Sequence, residues 1–96
     1  MGELAFRELH AVIEGRVQGV GFRWYVRERA RRWGLSGWVC NMPDGTVRLA
    51  ARGHPDAVAG LLGDLARGPD GAWVTSVGEL TVPDGEEYPE PFTIHR

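Results

Sequence analysis

The sequence has no lysine, one cysteine and no long apolar run. The scarcity of cysteine and of apolar runs excludes several classes of structure and location. The lone Cys40 excludes an internal disulfide and a cysteine-rich metal site, and it agrees with a reducing compartment. No apolar run approaches the roughly 20 residues of a transmembrane helix, and the N-terminus lacks the basic and then apolar pattern of an export signal. We therefore predict a cytoplasmic protein with no membrane partner.

The sequence also lacks clustered metal ligands and paired catalytic groups. Its three histidines, His10, His54 and His95, are widely spaced, and no second ligand stands at helical or hairpin distance from them. No nucleophilic triad is apparent, and the acidic residues form no pair near the glycine-rich segment described below. We predict no metal site and no cofactor.

The charge is unevenly distributed, although the formal net charge is only -2. Residues 1–52 hold nine arginines and five acidic residues, whereas residues 53–96 hold two and eight. All eleven basic residues are arginine, a bias that genomic base composition would also produce. The first half nevertheless favours an anionic partner, either a nucleic acid or a small phosphate ester or anhydride.

The hydrophobic pattern predicts one domain over residues 1–96, since 96 residues suffice for a single core. Strands are predicted at 7–14, 35–42, 46–52 and 72–82, with a short final strand in "FTIHR". A first helix from Phe22 to its end at Gly34 would bury Phe22, Val26, Ala30 and Trp33, and a second helix would begin near Pro55. This βαββαβ order predicts an α+β, ferredoxin-like fold whose antiparallel sheet carries two helices on one face.

The segment "GRVQGVGFR" at 15–23 joins the first strand to the first helix. A glycine-rich turn into a helix exposes backbone N–H groups beside the positive end of the helix dipole, and such places bind anions. Gly15, Gly19 and Gly21 would allow backbone angles and close approaches that a Cβ would block. Arg23 adds a planar fork of donors that matches two phosphate oxygens.

Two nucleotide-binding motifs are excluded for this segment. A P-loop needs Lys and Ser or Thr after its last glycine, and a dinucleotide fingerprint needs a small residue where this chain has Trp24. The anion should therefore be small. A flexible connection with one exposed arginine would also fit the glycine spacing.

Asn41 is the second candidate, because it lies near the end of a predicted strand before the turn "PDG". Its carboxamide could accept a hydrogen bond from a water molecule and donate one to it. An asparagine beside a turn also commonly stabilises that turn. The neighbouring Cys40 should point to the opposite face of the strand as a buried thiol.

Together, "EGRVQGVGFR" and "GWVCNMPDGTVRLAARG" closely resemble the acylphosphatase family in residue identity and in their separation. The resemblance covers nearly the whole chain, including "GPDGAWV" and "FTIHR". It implies a ferredoxin-like fold and hydrolysis of small-molecule acyl phosphates to a carboxylate and inorganic phosphate. It also implies that Arg23 binds the phosphoryl group and that Asn41 positions the water. The implied backbone cradle comprises Arg16, Val17, Gln18, Gly19, Val20, Gly21 and Phe22.

Leu61 and Asp64 depart from the resemblance, because the family often carries large aromatic residues in the second helix. An RNA-binding module shares the element order, but "TVRLAAR" lacks the aromatic residues on which bases would stack, so we predict no nucleic-acid partner. A non-catalytic anion sensor stays open at this stage. We expect a monomer, because no long apolar stripe remains once both helices and one sheet face are buried.

Overall fold

The structure, a computed structural model, describes residues 5–96 as a five-stranded sheet with two helices. The strands are β1 (Arg7–Arg16), β2 (Ser36–Asn41), β3 (Val47–Gly53), β4 (Trp73–Leu80) and β5 (Thr93–His95). The helices are α1 (Phe22–Arg32) and α2 (Pro55–Arg67). Neither is long and apolar enough to cross a membrane.

The sheet has the strand order β4-β1-β3-β2-β5. The pairs β1–β3, β1–β4 and β2–β3 are antiparallel, which confirms the predicted βαββαβ core. The final strand β5 instead pairs parallel with β2, so the sheet is mixed rather than wholly antiparallel. After β4 the chain crosses to the opposite edge of the sheet, where β5 runs in the same direction as β2.

The core lies between the helices and one face of the sheet. Alternate residues of β1, namely Leu9, Ala11 and Ile13, are buried on this face, as the period of two predicts. The helices complete the core with Phe22, Val26, Ala30, Val58, Leu61 and Leu65, all buried. Burying one such large apolar side chain contributes about 1.5–3 kcal/mol, so this layer holds the helix starts and strand ends in place.

The ends of both helices follow the sequence closely. Gly34 has a positive φ of 71°, and the amide of Leu35 donates to the Ala30 carbonyl at 2.9 Å, so α1 terminates where the glycine predicts. Pro55 occupies the first turn of α2, and His54 Nδ1 accepts a hydrogen bond from the Asp56 amide at 3.1 Å. Both confirmed boundaries depend on local chemistry.

The prediction that Trp33 is buried on the apolar face of the first helix is wrong. It lies beyond the last turn of α1, and 43% of it is exposed. Its ring covers Gly60, where an added Cβ would collide with the indole, and its Nε1 donates to Asp64 Oδ2 at 2.9 Å. Buried Asp64 also accepts from Arg67 at 2.7 Å, so the departure from the family pattern gives a polar connection between the helices.

Candidate active site

A cavity of about 260 Å³ opens where several strands of the sheet end. Since β1 and β2 both run antiparallel to β3, and β5 runs parallel to β2, the carboxyl ends of β1, β2 and β5 lie at the same end of the sheet, beside this cavity. The cavity is lined by Val17, Gly19, Gly21, Phe22, Arg23, Trp24, Asn41, Ile94 and Arg96. Segments far apart in the sequence thus form one site.

Glycines shape the loop between β1 and α1 for two different reasons. Gly19 and Gly21 have φ angles of 76° and 77°, and no atom lies within 4 Å of an added Cβ at either position, so their left-handed backbone is what requires glycine. Gly15 is needed for space instead. A Cβ there would collide with the carbonyl oxygen of Trp73, at the register shift between β1 and β4.

The amides of residues 18 to 24 make no hydrogen bond within the described part of the chain. The first paired amide is that of Tyr25, which donates to the Gly21 carbonyl at 3.0 Å. The first turn of α1 contains no acidic residue, and the N-cap residue Gly21 offers no side-chain acceptor. This loop therefore presents a row of free N–H donors at the positive end of a helix dipole, which suits an anion.

Arg23 lies in the first turn of α1 and lines the cavity while half-buried. Across residues 5–96, no Asp or Glu pairs with its guanidinium. The helix dipole disfavours a cation at this end, so an anion shared with the loop amides would relieve that repulsion. No Asp, Glu or His side chain lines the cavity.

Asn41 is the last residue of β2 and lines the cavity opposite the loop. Its Oδ1 is buried and finds no donor in the described chain, and a half-turn of the carboxamide would exchange Oδ1 with Nδ2. Because its side chain makes no hydrogen bond to the turn, Asn41 does not serve as a turn-stabilising residue here. Asp44 does so: its Oδ1 accepts from the amide of Thr46 at 3.0 Å and from its hydroxyl at 2.7 Å.

Gln18 connects the loop to the turn that follows Asn41. Its Nε2 donates to the carbonyl oxygens of Met42 and Thr46, both at 2.8 Å. These two residues also pair with each other, since the Met42 amide donates to Thr46 O at 2.9 Å. The Gln18 side chain thereby ties the loop to the turn that begins directly after Asn41.

The family model for acylphosphatase matches residues 9–94, which include the whole loop, Arg23 and Asn41. The chain belongs to the acylphosphatase family. It is a hydrolase acting on acid anhydrides, in a family whose substrates are small-molecule acyl phosphates.

Relatives of this acylphosphatase-family chain cover most of its length. The acylphosphatase of Thermococcus kodakarensis is 52% identical over 68 residues, or 71% of this chain and 75% of the relative. That of Bifidobacterium longum is 42% identical over 87 residues, which cover 91% and 90% of the two chains. The acylphosphatase structure from Coxiella burnetii superposes with a TM-score of 0.82 at 36% identity and covers 94% of this chain and 93% of its own.

Most of the residues expected from the acylphosphatase resemblance come together in the cavity. Val17, Gly19, Gly21, Phe22, Arg23 and Asn41 line it. Arg16 does not, because it is the exposed last residue of β1 and pairs with Trp73 of β4. Gln18 faces the turn instead, and Val20 packs partly against the core.

Trp24, Ile94 and Arg96 line the cavity although the sequence did not mark them as site residues. Alternation within "FTIHR" puts Ile94 and Arg96 on one face of the last strand, which is a usable signal. The sequence did not indicate that this strand would lie beside β2. Trp24 entered only as a reason to exclude a dinucleotide motif.

Cys40 differs in part from its expected position. It alternates with Asn41 along β2, but its side chain is half-buried rather than buried. Partial burial raises the pKa of its thiol, while the charges of Arg48 and Arg23 act in the opposite direction. Residues 5–96 contain no group of three or more His, Cys, Asp or Glu side chains that could hold a metal ion.

Proposed function

We propose that this protein hydrolyses acyl phosphates to a carboxylate and inorganic phosphate in the cavity at the carboxyl ends of β1, β2 and β5. One observation carries the proposal. Residues 19 and 21 to 24, whose amides are free, line one cavity with the unpaired Arg23 guanidinium and with Asn41, whose buried Oδ1 has no donor in the described chain. A phosphoryl group would satisfy the donors, and an attacking water would satisfy the carboxamide.

The cradle proposed for the phosphoryl group runs from Gln18 to Trp24. Each phosphoryl oxygen would accept hydrogen bonds from backbone amides, and Arg23 would bind two of the oxygens through its planar fork. Arg16 is left out of this cradle, because it belongs to β1 and is paired with β4. Fixed donors of this kind stabilise charge on the phosphoryl oxygens in the transition state without reorganising.

The water would be held by Asn41, whose carboxamide oxygen accepts a hydrogen bond from it and fixes the water oxygen in line with the bond to be broken. The water oxygen forms a bond to phosphorus, and the bond between phosphorus and the carboxylate oxygen breaks. Since no Asp, Glu or His lines the cavity, the water proton passes to a phosphoryl oxygen of the substrate. The leaving carboxylate has a low pKa, near 4 for an ordinary carboxyl group, and needs no general acid.

The test is phosphate release from benzoyl phosphate in the presence of a metal chelator. We expect Arg23→Ala to lower kcat/KM by about 10³-fold and to weaken competitive inhibition by inorganic phosphate. Asn41→Ala should lower kcat by about 10²- to 10³-fold while leaving phosphate inhibition nearly unchanged, because Asn41 holds water rather than phosphate. Arg32→Ala, at the exposed far end of α1, removes the same charge and should retain full activity.

Wild-type release no faster than that in buffer would overturn the proposal. So would variants at both Arg23 and Asn41 that match the wild type. If the protein bound phosphate with no turnover, the site would be an anion sensor. If it bound single-stranded RNA in competition with phosphate, the nucleic-acid alternative would replace the present one.

A further inference from the structure

A second arginine, Arg96, lines the same cavity as Arg23. Parallel pairing of β2 with β5 matches Val39 with Ile94 and Cys40 with His95. Continuing that register by one residue puts Arg96 beside Asn41, and alternation puts both on the face of buried Val39. Its place in the cavity thus follows from the strand pairing.

The Arg96 guanidinium makes no salt bridge to a side chain in the described part of the chain. No Asp or Glu side chain within residues 5–96 lines the cavity. The proposed phosphoryl cradle already satisfies Arg23 and the loop amides. Since two like charges in one cavity repel each other, a ligand with a second anionic group would be favoured over one with a single anionic group.

The remaining wall of the cavity is apolar. Trp24 and Ile94 line it together with the two arginines; Trp24 is 59% exposed, and the Arg27 guanidinium lies over its ring at 5.8 Å from the centroid. At about 260 Å³, the cavity is smaller than the roughly 300–1,000 Å³ typical of sites for larger ligands. The acyl group that shares the cavity with the phosphoryl group should therefore be short.

We propose that the site prefers acyl phosphates whose short acyl group carries an anionic group of its own, such as a distal carboxylate, and that Arg96 binds that group. This inference rests on the proposed function, because it requires the phosphoryl group to occupy the loop.

The test compares two stable ligands of equal length, 3-phosphonopropionate and propylphosphonate, which differ by a carboxylate in place of a methyl group. Dissociation constants would be measured by calorimetry at low and high salt. We expect the wild type to prefer 3-phosphonopropionate by about five- to tenfold, with the preference shrinking as salt is added. Arg96→Gln should reduce the preference to less than twofold, and Arg96→Lys should restore part of it.

Arg32→Gln is the matched control, because it removes one exposed arginine at the other end of α1 and should keep the full preference. A wild type with no preference, or a preference that survives Arg96→Gln, would overturn the inference. It would also be overturned if Arg96→Gln weakened both ligands equally, since Arg96 would then act on the phosphonate. Loss of acyl phosphate hydrolysis in the wild type, with the ligand preference intact, would instead overturn the proposed function alone.

Discussion

Two short connections meet at the cavity, and they differ in whether their backbone N–H groups are hydrogen-bonded within the protein. In the loop Val17–Gly21 and the first turn of α1, the amides from residue 18 to residue 24 have no partner in the described chain. In the turn from Met42 to Thr46, the amides of Met42, Gly45 and Thr46 are all bonded, to Thr46 O, Met42 O and Asp44 Oδ1. The first connection leaves its donors unpaired, and the second bonds its donors to its own acceptors.

Under the proposed function, this difference separates binding from positioning. The free amides of the loop would bind the anion, whereas the internal bonds of the turn would hold Asn41 at its start in one conformation. Gln18 is the only described side chain that hydrogen-bonds from the loop to the turn. Because a small displacement of a positioned group is costly in catalysis, the contact between the two connections should matter as much as either one.

Among changes that leave Arg23 and Asn41 in place, the largest effect is expected from Gln18→Leu, which keeps the side-chain volume but removes both donors. The two lost hydrogen bonds would cost about 1–3 kcal/mol in total, and the loop could then shift relative to Asn41. We expect kcat to fall about ten- to a hundredfold, as measured by phosphate release from benzoyl phosphate, with an unchanged circular dichroism spectrum. Ser36→Ala, which removes a 3.4 Å hydrogen bond to Arg52 O away from the cavity, is the control. Activity of Gln18→Leu within threefold of the wild type would show that the two connections are positioned independently.

A smaller effect is expected from Gly21→Ala, because alanine at a φ of 77° costs about 1–2 kcal/mol. Relaxation of that strain would turn amides away from the anion, so the inhibition constant of inorganic phosphate should rise about tenfold. Gly63→Ala is the matched control. Gly63 lies in α2 with no atom within 4 Å of an added Cβ, so alanine there should stabilise the protein by about 0.5–1 kcal/mol. Unchanged phosphate inhibition in Gly21→Ala would argue against the amide cradle.

The smallest effect is expected from Thr46→Val in the turn, which should change only the pH dependence of stability. The hydroxyl and amide of Thr46 hold the pKa of the Asp44 carboxyl below its ordinary value of 3.8. A lowered pKa adds stability above the ordinary value, and this stability is lost as pH falls through the lowered one. Thr46→Val removes the hydroxyl bond, so the pKa of Asp44 should rise, and unfolding measured between about pH 5 and 2 should depend less steeply on pH. Asp44→Asn, which does not titrate, gives the limiting slope, and a Thr46→Val slope equal to that of the wild type would contradict the assignment.

Features that depend on local chemistry were predictable from the sequence. Gly34 ends α1 and Pro55 begins α2, since a left-handed residue and a fixed φ act within one turn of helix. The glycine-shaped connection between β1 and α1 was also predictable, because the glycines and the following helix lie in one continuous segment. The roles of Arg23 and Asn41 stay predictions until the variants are measured.

Features that depend on pairing between distant segments were not predictable. Glycine ordinarily weakens a helix, but at Gly60 in α2 the missing Cβ makes room for the ring of Trp33. Gln18 was expected to contribute only its backbone, since its acceptors at Met42 and Thr46 lie in another turn. Arg96 was missed because nothing within "FTIHR" specifies which strand it will pair with.

The three-residue strand β5 also has a consequence for the order of folding. Its partner β2 lies far earlier in the sequence, so their pairing closes a long loop before the few hydrogen bonds and buried Phe92 can offset the lost chain entropy. The hairpin of β2 and β3, in contrast, closes across one short turn. During refolding we therefore expect helix content to recover first. The preference for ligands with a second anionic group should appear last, when Arg96 reaches the cavity.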